Sequence, residues 1–125
     1  MTESVWDTVQ KALIDANIDT YPPGQKIGDC TAAYCVLKDA GVSNIPGYSS
    51  EIHYYDLMCY VPRNRYFDLA AFVTQCKEVM AEPPIYPMLM PTGIETPSFF
   101  DDTFNAYMIS VRYRNNVRNI NLKQV

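Results

Sequence analysis

Histidine is nearly missing from this 125-residue chain, which has a single one, His53. Metal sites, catalytic triads and Cys–His nucleophiles all draw on imidazole, so most of that chemistry has one side chain to work with. The four cysteines, Cys30, Cys35, Cys59 and Cys76, contain no CxxC pair, and tetrahedral zinc takes its ligands from tight local pairs. No metal is therefore expected. Cys35, Cys59 and Cys76 fall at apolar-face positions, where a free thiol acts as a small hydrophobe, so reduced, buried cysteines are expected. There is no long apolar run of the kind that crosses a bilayer, and the N-terminal stretch carries Glu3, Asp7 and Asp15. Neither a signal peptide nor a membrane span is expected, which places the protein in the cytoplasm or in a particle assembled there.

Phosphate loops are missing as well, since neither GxxxxGK[ST] nor GxGxxG occurs. The stretch Pro23, Gly24, Gln25, Lys26, Ile27, Gly28, Asp29 has two glycines and a lysine. It leads into a strand instead of a helix and so offers an anion no helix N-terminus. Asp101 and Asp102 are adjacent; on an extended segment they point to opposite faces and cannot share a proton. Ten basic residues against 14 acidic ones leave a net charge of −4, the wrong sign for a domain that neutralises phosphates.

What the chain has in plenty is tyrosine, ten in all. A phenol has an apolar body and a polar tip, which suits either half-buried strands or a surface that another subunit covers. Charge is unevenly spread. Residues 1–102 hold all 14 acidic groups and six basic ones, a net of −8, whereas residues 103–125 hold Arg112, Arg114, Arg118 and Lys123 and no acid, a net of +4. A basic C-terminal segment on an acidic body could pair with the acidic face of a neighbouring copy, or stay solvated.

Val5, Trp6, Val9, Ala12, Leu13 and Ala16 form the stripe of an amphipathic helix over residues 3–17, with Thr2 placed to cap it and Asn17, Asp19 and Tyr21-Pro22-Pro23-Gly24 ending it. Residues 32–37 read as a strand closed by Asp39, Ala40 and Gly41, and residues 42–50 as a loop. From Ile52 to Val61, Tyr55, Leu57, Cys59 and Val61 alternate with Tyr54, Asp56, Met58 and Tyr60, a strand with one face buried. Pro62, Arg63 and Asn64 predict a turn, and Leu69, Phe72, Val73, Cys76, Val79 and Met80 a second amphipathic helix. Five of the nine prolines lie between residues 83 and 97, so a strand within Ile85 to Met90 must be short or at an edge. Phe99 to Phe104 reads as a connector, and Tyr107 to Arg114 as a long half-exposed strand running into a polar tail.

The expected fold is therefore α+β, an α/β sandwich in the order α-β-β-α-β-β: an antiparallel sheet of about four strands with two helices on one face. Residues 1–115 form one domain and residues 116–125 a polar C-terminal tail. The open face would carry Tyr54, Met58, Tyr60, Met108 and Arg112, and that many large side chains suggests a partner.

The Tyr21-Pro22-Pro23-Gly24-Gln25-Lys26 loop after an N-terminal helix, the strand Ala33 to Lys38, and the strand Asp56 to Pro62 followed by Tyr66 and an amphipathic helix together resemble the tail terminator (tail completion) proteins. These belong to phages and to phage-derived elements of Gram-positive bacteria. Pro87 to Pro91 and the closing strand Ala106 to Arg114 fit the same pattern, so the likeness covers residues 1–115. It implies a non-enzymatic subunit of a virion or phage-like particle, assembled in the bacterial cytoplasm and located at the tail–neck junction. There it would form a ring, typically a homohexamer, that caps the tail tube and joins it to the neck or head. The implied partners are further copies of itself, the tail tube protein, and sheath and neck or connector proteins; DNA would pass through the ring without sequence-specific binding, and no membrane is involved. An acidic body would suit such a channel. No catalytic, cofactor-binding or metal residue carries over. The contact residues expected are Tyr21, Pro22, Pro23, Gly24, Tyr54, Tyr60, Arg112, Arg114 and Arg118. The alternatives are another head–tail connector or neck subunit, a small cytosolic enzyme using a cysteine with His53, and an adaptor binding a host protein through its aromatic face.

Overall fold

In a computed structural model the chain is described over residues 5–25, 28–44 and 50–118, with residues 44, 50 and 116–118 described by their backbone path alone. Helix α1 spans Val5–Asp15 and buries Thr8, Val9 and Leu13, the inner edge of the apolar stripe. Asn17 ends it in the left-handed region at φ 64°. Its N–H donates to the Ile14 carbonyl and that of Ile18 to the Leu13 carbonyl, both at 2.9 Å, which satisfies carbonyls the helix leaves open. Thr2 lies outside the described residues.

The chain then turns back along the sheet. Strand β1, Thr20–Tyr21, runs parallel to β2, Tyr34–Asn44. Next come β3, Ser50–Pro62, a 3-10 helix over Arg63–Asp68, and helix α2, Leu69–Met80. Strands β4, Met90–Glu95, β5, Phe99–Asp101, and β6, Ala106–Arg118, complete a six-stranded sheet. Its order is β1-β2-β3-β6-β4, with β5 also paired to β6. Except for the β1–β2 pair, neighbouring strands are antiparallel.

The mixed α+β class and the two helices on one face are as expected, while the sheet is larger than four strands. Two short strands, β1 and β5, add to it because tertiary contact recruits segments too brief to show a period. Strand β2 also runs past its expected end. Gly41, at φ 107°, takes up a register shift, and its N–H donates to Asp39 Oδ1 at 2.9 Å, so the bulge keeps β2 paired with β3 out to Asn44. The expected 42–50 loop is thus strand at residues 42–44 and at Ser50, and its residues 45–49 lie outside the described part.

Between Ile85 and Met90 there is no strand. Residues 81–89 are a series of turns, with the Ile85 and Tyr86 N–H groups donating to the Glu82 carbonyl and that of Leu89 to the Ile85 carbonyl. Pro83, Pro84 and Pro87 have no N–H for a ladder, so the edge strand begins only at Met90. Ile85 and Leu89 still enter the core, both with no exposure. At the other end, β6 continues through Arg118 opposite Ser50, so residues 116–118 are strand where a polar tail was expected. Residues 119–125 lie outside the described part.

The core lies between the sheet and the helices. Cys35 and Leu37 of β2, Leu57, Cys59 and Val61 of β3, and Val111 and Tyr113 of β6 meet Val9 and Leu13 of α1 and Leu69, Val73, Cys76 and Met80 of α2. These are the alternate strand positions and the helix stripe that periodicity predicts. Among the described residues, no helix is long and apolar enough to cross a membrane.

Candidate assembly surfaces

The sheet face away from the helices carries Tyr54, Asp56, Met58 and Tyr60 of β3 and Met108, Ser110, Arg112 and Arg114 of β6, paired in that phase across the two strands. The face is only partly open. The described residues between β1 and β2, 22–25 and 28–33, fold over one end of it: Pro22, Pro23, Gly24 and Gln25 make a turn in which the Gln25 N–H donates to the Pro22 carbonyl at 3.2 Å. Gly24, at φ 77°, sits where a type II turn demands a left-handed residue after proline. The Cys30 N–H donates to the Phe104 carbonyl at 2.7 Å and fastens the far end of the loop.

Beneath this loop four rings stand in a row. Tyr21 meets Tyr34 edge-on at 5.5 Å, Tyr34 stacks on Tyr60 at 4.8 Å, and Phe104 meets Tyr60 edge-on at 5.7 Å. Tyr60 and Met108 are consequently buried, at 5% and 7% exposure, and do not lie on the open part of the face. Burial pushes the Tyr60 phenol up to about 12, helped by Asp101 and Cys30, and raises Tyr34 for the same first reason. Pro22, Pro23 and Gly24 rim a shallow pocket of about 220 Å³ floored by Val36, Met58 and Tyr60.

The arginines divide. Arg112 is bound within its own chain: Nε donates to Asp56 Oδ1 at 2.9 Å and Nη2 to Oδ2 at 3.1 Å, a two-pronged pair between residues directly opposite in the ladder. The bond to Asp56 raises the guanidinium pKa further, and the Arg112 guanidinium also lies 5.7 Å from the Tyr54 ring centre. Arg114 stands opposite Tyr54, and its Nε is buried with no hydrogen-bond partner among the described residues. The side chain of Arg118 lies outside them. Of the expected contact residues, the structure brings Tyr21, Pro22, Pro23, Gly24 and Tyr60 into one cluster and Tyr54, Arg112 and Arg114 into another.

His53 and the cysteines do not meet. His53 Nε2 is 3.0 Å from Glu51 Oε2 on the same strand. It stands six residues from Cys59 along β3, roughly 20 Å on an extended strand. Cys35 and Cys59 are directly paired across β2 and β3, with Cys76 of α2 in the same core cluster. The hydrogen bond to Cys76, then burial, drives the Cys35 thiol far above its usual range, which favours the neutral thiol over the thiolate. All four cysteines are free and buried. Among the described residues, no group of three or more His, Cys, Asp or Glu could hold a metal ion.

Two surfaces were not foreseen. Around the 3-10 helix, Tyr66 packs on Tyr107 at 4.6 Å and Phe100 on Tyr107 at 5.2 Å, while Phe67 projects beyond them at 94% exposure. The Arg63 guanidinium lies 5.8 Å from the Phe100 ring centre. At the opposite end of α2 lies an apolar groove of about 480 Å³ lined by Met80, Tyr86, Ile94, Val111 and Tyr113. Its outer lip exists because β4 bulges: Pro91 faces Tyr113 and Glu95 faces Val111, so Thr92, Gly93 and Ile94 loop out of the ladder. The Thr92 hydroxyl donates to the Arg112 carbonyl at 3.0 Å in place of the missing backbone bonds. Phe99-Phe100 carried a signal, because adjacent residues on an extended segment face opposite ways and one of them must leave the core. The groove had none, since its walls come from three separated stretches.

No protein-family model matches the chain, and no curated protein is similar to it in sequence.

Proposed function

We propose that the protein is a non-enzymatic assembly subunit that forms a ring capping the tail tube of a phage or phage-like particle and joining it to the neck or head. The observation that carries this reading is the surface. Eight large hydrophobic side chains are exposed among the described residues, and six of them, Tyr66, Phe67, Tyr86, Ile94, Phe99 and Phe100, lie along α2 and the β4–β5 side of the sheet. Exposed apolar groups gathered in this way mark surfaces that another protein covers. The resemblance of the loop, strands and second helix to tail terminator proteins supports the same reading. So does the acidic character of residues 1–102, which suits a channel through which DNA slides without sticking.

The test is the mass of the purified protein by light scattering, alone and with tail tubes, together with electron microscopy of the mixture. A ring in solution, or a cap at one end of each tube, is the expected result. Binding to a head connector and not to tubes would transfer the protein to the neck. A monomer that binds neither would reject an assembly role in tails.

A further inference from the structure

The two unforeseen surfaces differ in shape and charge. One is a knob: Phe67 stands out at 94% exposure on a base of Tyr66, Phe100 and Tyr107. The other is the groove beside the C-terminal end of α2, open to solvent past Ile94 at 55% and Tyr86 at 43% exposure. The 12 residues of α2 separate them, roughly 18 Å at 1.5 Å per residue, so one chain cannot fill its own groove with its own knob.

Charge complements shape. At the knob Arg65 is neutralised by Asp68 at 2.8 Å, which leaves the exposed Arg63 as the surplus cation. At the groove Lys77 is neutralised by Glu95. The exposed Glu78 and Glu82 stand outside the groove, on the side of α2 where they line a second recess with Ala12 and Asp15, and they leave this end of the helix with a surplus of anions. The C-terminal end of the helix dipole adds to that negative end. A small-molecule site of this volume would present a few polar groups aimed inward. Here the one charged pair on the lining is bonded to itself, and the rest of the wall is aromatic, aliphatic or backbone. The wall suits an aromatic side chain backed by a cation.

We infer that the groove receives Phe67 of a second copy of this chain, which brings Arg63 of that copy towards the anionic C-terminal end of α2. Knob and groove are different patches, so the contact is head-to-tail and not self-complementary. Every copy that receives a knob still offers its own, and repetition closes a ring or runs on as a filament. A stable contact removes roughly 800 Å² per partner from water, more than one ring covers, so Tyr66, Phe100 and the looped-out Thr92 to Ile94 segment belong to the same interface. The inference rests on the ring reading of the protein's function and supplies the contact by which such a ring would form.

The test mixes two single-cysteine additions, Phe67→Cys and Ile94→Cys, in the full chain, since the four native cysteines are buried. Mild oxidation of the mixture should give a band of twice the monomer mass that neither variant gives alone. In parallel, Phe67→Asp should weaken self-association on the order of thirtyfold, the loss typical of a central interface aromatic, with an unchanged melting curve because the side chain touches little of its own fold. Ile94→Asp serves as the second variant from the groove side. Rings that form at wild-type strength in Phe67→Asp, with no mixed band, would overturn the contact and leave the ring standing. A mixed band from particles that never exceed a dimer would uphold the contact and sink the ring. A protein that stays monomeric with tubes and without them would sink both.

Discussion

Strand β3 serves two faces of the sheet that are covered in different ways. On one side Leu57, Cys59 and Val61 lie under a layer of helix, and the buried polar groups there and at its margin are neutral threonines, Thr8 and Thr20. On the other side Asp56, Met58 and Tyr60 meet a loop, an aromatic row and an ion pair, and cover fades from complete at Tyr60 to partial at Tyr54. Helices cover a face evenly because their side chains recur at a fixed spacing. A loop covers only what its turns and hydrogen bonds reach, here the Gln25–Pro22 turn and the Cys30–Phe104 bond, so its margin stays open to solvent.

Given that difference, the helix-covered face should be the less forgiving. Leu57→Ala, at a position with no exposure, should remove about 2–5 kcal/mol of stability in urea denaturation, the range for a leucine lost from a packed core. A loss well under 1 kcal/mol would mean that this face is not the main core.

Alkali should act through the aromatic row of the other face. The Tyr60 phenol is raised from 10 to about 12, so the folded state holds a proton that the unfolded chain releases sooner. Its stabilisation is complete below pH 10 and disappears as the pH rises through 12, about 2–3 kcal/mol in all. Thermal melts from pH 8 to pH 12 should show that decline, and Tyr60→Phe should remove this residue's share of it. A decline identical in Tyr60→Phe would place the cause elsewhere.

Phe104→Ala strips the outer ring of the row at a half-buried position. The expected loss is about 1–2 kcal/mol, less than for a fully buried phenylalanine. Protease should then cut faster at the Pro22–Gln25 turn while amide exchange in β3 and β6 is little changed. Uniformly faster exchange would show that the loop is integral to the core.

The smallest effect belongs to the ion pair. Arg112 and Asp56 have side-chain exposures of 37% and 21%, so a double-mutant cycle should give a coupling of about 0 to 1 kcal/mol. The pair also refines the expected role of Arg112 in subunit contact. Reversing Arg112 alone strands Asp56, whereas exchanging the two charges restores the pair. If the exchanged protein assembles as the wild type does, Arg112 acts within its own chain; if it does not, Arg112 faces a neighbour.

Much of the first face is legible in the amino-acid sequence. The 3.6-residue stripes of Val9-Leu13 and Leu69-Val73-Cys76-Met80 and the alternation from Tyr55 to Val61 place the same residues in the core that the fold buries. The phase of the second face is legible too, but not its cover. Tyr60 and Met108 read as exposed because the loop that buries them shows only turn chemistry, and turn chemistry states that the chain bends without stating what it bends onto. Arg112 reads as a free cation because its partner Asp56 is 56 residues away.

By itself, then, the sequence determined the helices, the two long strands that alternate, the inward and outward sides of each, and the burial of Cys35, Cys59 and Cys76. Each of these follows from spacing along the chain, which the backbone's own geometry converts into direction. The tertiary structure alone decided the strands β1 and β5, the extension of β2 through its bulge, the pairing of Arg112, and the knob and groove at the two ends of α2. These are contacts between residues distant in sequence, and local periodicity carries no information about which distant stretch will arrive beside which.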